Sequence, residues 1–202
     1  RLIMANWEER LKDIKGIAFD VDGVFTDGSI FVDGNGDLLR VQNAKDGFGL
    51  RMAVLKGYPV GIVTGAYSDS VHKRFKGIGV PDEDIFMLSR NKLPDFLTFC
   101  KNHNLSPEEV AFVGDDIPDI PVLKVCGLAV CPSDAVEEVK AVSHYISPYG
   151  GGKGCVRNIL EHIMKMHNDW NFDAELYANS AVHFDVKSQC AVVGKRREEE
   201  NL

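Results

Sequence analysis

The fold of this 202-residue chain is limited most by a regular exchange between two hydrophobic periods. Short apolar runs of strand length (Gly16 to Phe19, Pro59 to Val63, Val110 to Val113, Leu128 to Val130, Tyr145-Ile146) are separated by segments with helical spacing. Phe48, Met52 and Leu55 form one such stripe. Others are Val71 and Phe75; Leu93, Phe96, Leu97 and Cys100; Val136 and Val139; and Val156, Ile159, Leu160 and Ile163. Strands without a polar face, each followed by an amphipathic helix, predict an α/β fold: a parallel central sheet covered on both sides, in three layers.

Local signals place the boundaries. Trp7, Leu11 and Ile14 predict a short helix before the first strand. Two apolar runs, Ser29 to Val32 and Leu38 to Val41, flank the turn Asp33-Gly34-Asn35-Gly36-Asp37 and predict a β-hairpin flap over residues 28–42. Asp46 reads as the N-cap of the helix that follows, with Gly57 at its end; Ser68 opens the next helix and Gly77 stops it. Lys92 stands before a helix with Pro94 in its first turn, and Gly150 to Gly154 opens the last helix. One domain over 1–167 is expected. Residues 168–202 read as a tail, partly ordered at best, with a solvated charge block from Lys195 to Glu200. Met4 reads as the natural start.

Composition narrows the function. A net charge of −7 offers no surface for nucleic acid. No run is long or apolar enough for a membrane span, no signal peptide precedes the first strand, and five cysteines without a CxxC pair fit a reduced cytoplasm. An anionic substrate would need local Lys, Arg or a metal. The exposed-edge residues Ile30, Phe31 and Val32 of the hairpin favour assembly over a monomer.

Three strands end in reactive groups: Asp20 and Asp22 before Gly23, Thr64-Gly65, and Asp115-Asp116. In a doubly wound sheet such ends converge on one crevice. Carboxylates from two strands suit Mg²⁺, and a hydroxyl, a backbone N–H and the Lys92 ammonium suit a phosphoryl group. An Asp-Gly turn is also an ordinary solvated turn, so the acidic pair alone leaves both readings open. Lys45, Arg74, Lys153 and Arg157 can grip a substrate anion or merely solvate the surface. The order of these groups along the chain is not that of a response-regulator receiver.

DVDGV at Asp20 to Val24, Thr64, Lys92, and GDD at Gly114 to Asp116 with Asp119 beyond follow one another as four motifs. Over roughly Ile14 to Met164 the chain therefore resembles the haloacid dehalogenase superfamily of phosphatases, which implies a Rossmannoid sandwich. The resemblance implies Asp20 as nucleophile and Asp22 as acid and base. It places Mg²⁺ on Asp20, the Asp22 carbonyl and Asp115, with Asp116 and Asp119 as support, and phosphate on Thr64, Gly65 and Lys92. Only a hairpin and one helix fit between Gly23 and Val63, so no cap domain is expected.

DVDGVFTDG (Asp20 to Gly28), NAKDGFG (Asn43 to Gly49), GDDIPD (Gly114 to Asp119) and GGKGC (Gly151 to Cys155) further resemble 3-deoxy-D-manno-octulosonate 8-phosphate phosphatases. That resemblance implies a sugar-acid phosphate from the lipopolysaccharide precursor pathway as substrate. It also implies a homotetramer whose neighbouring subunits complete each site, with Lys45, Asp46, Arg74 and Lys153 as substrate contacts. A sibling family acting on 2-keto-3-deoxynononate 9-phosphate carries Glu where this chain has Ala66 and Lys where it has Gly77, but shares Arg74. Many octulosonate enzymes carry Arg in place of Ala66 and Lys153. The nine-carbon substrate, and a non-catalytic oligomerisation module of the same fold, stand as the alternatives.

Overall fold

Strand β1 (Gly16–Phe19) is buried at all four residues and hydrogen-bonded on both edges, as a run without a polar face requires. A computed structural model describes residues 6–34, 36, 38–180, 182–185 and 190–193, the last two stretches as backbone; the Met4 start and the 195–200 charge block lie outside them. The other sheet strands are β4 (Val60–Val63), β5 (Ile85–Phe86), β6 (Val110–Val113), β7 (Leu128–Cys131) and β8 (Tyr145–Ile146). Together they form a parallel six-stranded sheet in the order β5-β4-β1-β6-β7-β8. The hairpin is β2 (Phe31–Val32) with β3 (Leu38–Leu39), antiparallel, pairing Phe31 with Leu39.

Side-chain alternation along the strands creates the three layers. Ile17, Phe19, Ile62, Val113 and Val130 face a core closed by α2 (Ala44–Leu55), α3 (Asp69–Ile78) and α7 (Cys155–Met166). Ala18, Val63, Phe112, Ala129 and Cys131 face the opposite core, closed by α4 (Lys92–Asn102), α5 (Ile120–Leu123) and α6 (Glu137–Val142). Gly61 is a packing requirement, since a Cβ there would lie 2.9 Å from the Phe99 ring. Four cysteines, Cys100, Cys126, Cys131 and Cys155, are free and buried.

Several boundaries differ from expectation. Asn43, not Asp46, caps α2, its side chain accepting from the Lys45 N–H. Asp46 is fully buried one turn later and serves α7 instead. Gly77 lies inside α3; the stop is Gly79, at φ 107°, because Ile78 is buried and extends the helix by one more contact. Leu97 points outward, and Phe99 fills the α4 core position. The helix α1 (Trp7–Arg10) is shorter than the predicted stripe and passes into a 3₁₀ turn over Leu11–Asp13.

Beyond α7 the chain forms α8 (Ala174–Asn179), capped by Asp173, and an antiparallel pair, β9 (Val182–Asp185) and β10 (Cys190–Val193), beside α3. Tyr177 and Phe172 pack on Phe48, and the Arg157 guanidinium sits over both Phe48 and Trp170. No inserted cap interrupts the described residues between Gly23 and β4, which hold only the hairpin and α2. Among them, no helix is long and apolar enough to cross a membrane.

Candidate active site

The register of the sheet brings the reactive ends together. Phe19 pairs with Ile62 on one side and Val113 on the other, and the Asp20 N–H donates to the Val113 carbonyl at 2.9 Å. Asp20, Thr64 and Gly114-Asp115 therefore leave three adjacent strands at the same level, and the start of α4 adds Lys92. They line a cleft of about 440 Å³ together with Asp22, Gly65, Asp116 and Asp119.

Lys92 is buried, and its ammonium donates to Asp20 Oδ1 at 2.8 Å and Asp119 Oδ1 at 2.7 Å. The second Asp119 oxygen accepts from the Asp115 and Asp116 N–H groups at 2.9 and 3.2 Å. Asp119 is thus fully engaged as a brace between Lys92 and the loop after β6, and a Cβ on Gly114 would strike it at 2.5 Å. Asp116 caps the turn that follows, accepting from the Ile117 N–H at 2.8 Å.

Asp115 differs from these. Its Oδ1 is buried and meets no hydrogen-bond partner among the described residues, an arrangement that costs free energy unless something fills it. Its carboxylate lies over Gly23, where a Cβ would be 1.9 Å from Oδ2 and the backbone adopts φ 87°; glycine is required there twice over. Ligand atoms of Asp20, Asp115 and Asp119 all lie within 4.8 Å of one another. Burial, and then the neighbouring carboxylates, push the Asp20 and Asp115 carboxyls above their ordinary range, although Lys92 opposes this. Burial lowers the Lys92 ammonium, but Asp20 and Asp119 outweigh it and the net shift is upward. The cleft holds more negative charge than its own cations balance. Hard oxygen donors, one of them orphaned, fit a divalent cation such as Mg²⁺ on Asp20 and Asp115.

Two further residues shape the site without having been singled out from the sequence. The Thr26 hydroxyl, fully buried, accepts from the Gly23 and Gly28 N–H groups at 3.2 Å each and holds the loop after β1. Arg40, at the base of the hairpin, forks onto Asp22: Nε to Oδ1 at 2.6 Å and Nη2 to Oδ2 at 3.0 Å. Its side chain is only 3 % exposed. A Thr in a DxDGxxT loop is a readable local signal. Arg40 gives none, because the contact spans the whole flap.

The expected substrate contacts do not reach this cleft within one chain. Asp46 is enclosed, with Oδ1 accepting from the Arg157 N–H and Oδ2 from the Gly154 N–H; burial raises its carboxyl against those two bonds. It anchors the start of α7 and is no substrate contact. Lys45 is exposed at the start of α2. Arg74 lines a separate cavity of about 280 Å³ with Arg51 and Tyr177. Lys153 is paired with Asp27 at 3.1 Å, and Arg157 with Glu161 at 2.6 Å.

Fold and cleft define a phosphoryl-transfer hydrolase of the haloacid dehalogenase type. In agreement, residues 30–127 match the family model described as haloacid dehalogenase-like hydrolase. The chain is 33% identical over 155 residues to the 3-deoxy-D-manno-octulosonate 8-phosphate phosphatase of Escherichia coli K12, covering 77% of this chain and 81% of that protein. The phosphatase of the same name from Moraxella catarrhalis, solved with magnesium, phosphate and KDO, superposes at a TM-score of 0.78 with 31% identity, covering 81% of this chain and 93% of that one. The Yersinia pestis structure gives 0.77 at 30% identity, covering 80% and 86%. This chain belongs to the 3-deoxy-D-manno-octulosonate 8-phosphate phosphatase family.

Proposed function

We propose that this chain is a Mg²⁺-dependent phosphomonoesterase that converts 3-deoxy-D-manno-octulosonate 8-phosphate to the free sugar acid and phosphate, in the cytoplasm, on the route to lipopolysaccharide. The observation that carries the reading is the buried, partnerless Asp115 oxygen beside an Asp20–Lys92–Asp119 array. That arrangement provides a cation seat next to a carboxylate nucleophile.

In this reading an Asp20 oxygen attacks phosphorus in line, and the bond from phosphorus to the sugar oxygen breaks, leaving an aspartyl phosphate. Asp22 gives a proton to the departing alkoxide, then takes one from the water that hydrolyses the acyl phosphate and frees Asp20. Lys92, Thr64 and the Gly65 N–H hold the equatorial oxygens. When bound by Asp20, the Asp22 carbonyl and Asp115, Mg²⁺ offsets the repulsion between the nucleophile and a phosphate dianion. Asp116 and Asp119 keep the loop after β6 in place for it.

The exposed apolar residues of the hairpin (Phe31 at 67 % exposure, Val41 at 85 %) support its burial in a homotetramer. Lys45, Arg74 and Lys153, which lie away from their own cleft, then serve that of a neighbouring subunit. Phosphate release from a panel of sugar-acid phosphates, with and without Mg²⁺, tests the reading. The eight-carbon ester is expected to lead. Preference for the nine-carbon 2-keto-3-deoxynononate 9-phosphate would reassign the substrate, and no metal-dependent release from any ester would leave only a non-catalytic module.

A further inference from the structure

Two cations line the cleft against five carboxylates: Lys92 and Arg90 face Asp20, Asp22, Asp115, Asp116 and Asp119. They are not equivalent. Lys92 is buried at the floor and committed to Asp20 and Asp119. Arg90 is exposed at the rim, and among the described residues its guanidinium makes neither a hydrogen bond nor an ion pair.

The backbone that presents Arg90 is fixed. Leu88 adopts the left-handed region at φ 57°, and its N–H donates to the Ala66 carbonyl at 3.4 Å. The Ser89 N–H donates to the Thr64 carbonyl at 2.9 Å, and the Ser89 hydroxyl donates to Asp95. Residues 88–90 are therefore stitched to the Thr64–Ala66 segment, with Arg90 above the phosphoryl-binding groups rather than among them.

Depth then determines what Arg90 meets. An ester whose phosphorus approaches the buried Asp20 leaves its organic part at the rim. That rim carries the exposed carboxylate Asp116 and one unpaired cation. A neutral organic group gains nothing from Arg90, whereas a carboxylate gains a planar, two-point partner. We propose that Arg90 is the specificity-determining residue that selects phosphate esters bearing a carboxylate on their organic part. The assignment deepens the proposed function and rests on it, because it takes Asp20 as the point of phosphoryl attack.

The test compares 3-deoxy-D-manno-octulosonate 8-phosphate with its C1 carboxamide, which has the same skeleton and no carboxylate charge, in the wild-type chain, Arg90→Gln and Arg90→Lys. Wild type is expected to favour the acid. In Arg90→Gln the acid-to-amide ratio of kcat/KM should fall about ten- to a hundredfold, mainly through KM for the acid, the size of a lost charge-assisted pair. Arg90→Lys should recover part of the ratio, since it keeps the charge and loses the fork. Equal losses on both esters, or an unchanged ratio, overturn the proposal. Failure of the substrate assignment looks different: wild type would ignore the eight-carbon ester, while another carboxylated ester in the panel would still show the Arg90-dependent ratio.

Discussion

The cleft, whose first loop leads directly into the hairpin, and the hairpin itself obey opposite rules. In the cleft, charged side chains are buried at the ends of apolar strands and brace one another, as Lys92 does between Asp20 and Asp119. In the hairpin, apolar side chains stand in solvent: Phe31, Val32, Leu38, Leu39 and Val41 are exposed, while the charged Arg40 side chain turns inward. Buried charge is unfavourable unless it is paired or used, and an exposed apolar ribbon is a liability unless it is covered. Each region therefore carries a feature that calls for a counterpart: a cation beside the buried carboxylates in one case, and in the other the neighbouring subunits of the proposed assembly over the exposed apolar ribbon. Arg40 joins the two, since it rises from the hairpin and grips Asp22.

Several measurements would break or sharpen this contrast. Asp20→Asn removes the proposed nucleophile and should lower kcat by about ten-thousand-fold or more in a phosphate-release assay; chelation should abolish the same signal, and activity surviving either would end the account of the cleft. Arg40→Ala frees the Asp22 carboxylate from its fork while leaving the strands intact. It should lower kcat about tenfold with the melting temperature nearly unchanged, because misplacing a reacting group costs rate rather than fold. A full-rate Arg40→Ala protein would show the two regions to be independent.

Asp46→Asn probes the buried acid that the cleft does not use. Each of its oxygens accepts one backbone N–H, so an amide must turn a donor toward one of them, at about 1–3 kcal/mol in denaturant unfolding. The sign of its pH dependence follows from burial, which raises the carboxyl. Between the ordinary carboxylate range and the raised value the native state binds the proton more readily than the unfolded chain, so stability falls as pH rises there. The deficit of Asp46→Asn should narrow with rising pH in that window; a constant deficit would contradict the assigned cause. The smallest effect belongs to the hairpin. Phe31→Ser with Leu39→Ser should shift sedimentation toward smaller species while changing unfolding free energy by under about 0.5 kcal/mol. An unaltered assembly would exclude this face as its seam.

The sheet and the cleft were legible from the chain because both depend on local, redundant signals. A strand buried on both faces has no polar alternation to confuse it, and its end is marked by the first polar residue: Asp20, Thr64, Gly114. The boundary errors came from competing signals of the same kind. Asn43 and Asp46 are both good capping residues, and only the position of α7 decides that Asp46 faces elsewhere. Gly77 and Gly79 are both plausible stops, and the burial of Ile78 selects the second. Contacts across the flap or between distant loops leave no trace in spacing, so nothing in the sequence marks Arg40 or Arg90, and spacing does not say which subunit's cleft Lys45, Arg74 and Lys153 would serve. Six-residue α8 is too short to show a period, although Asp173 does mark its start.

The position of β1 in the sheet bears on how the protein is made. Synthesis delivers it first among the six strands, yet its partners are Val60–Val63 on one edge and Val110–Val113 on the other. The loop that follows it is held still later, when the Gly152 N–H reaches the Val24 carbonyl. A nascent chain must therefore carry an apolar segment with one edge open until Val60–Val63 has emerged and the other until Val110–Val113 has. Long-range parallel pairing of this kind is slow to form and exposed to wrong partners in the interval. Asp20 thus leaves the ribosome ahead of the strands and the α7 loop that complete its surroundings.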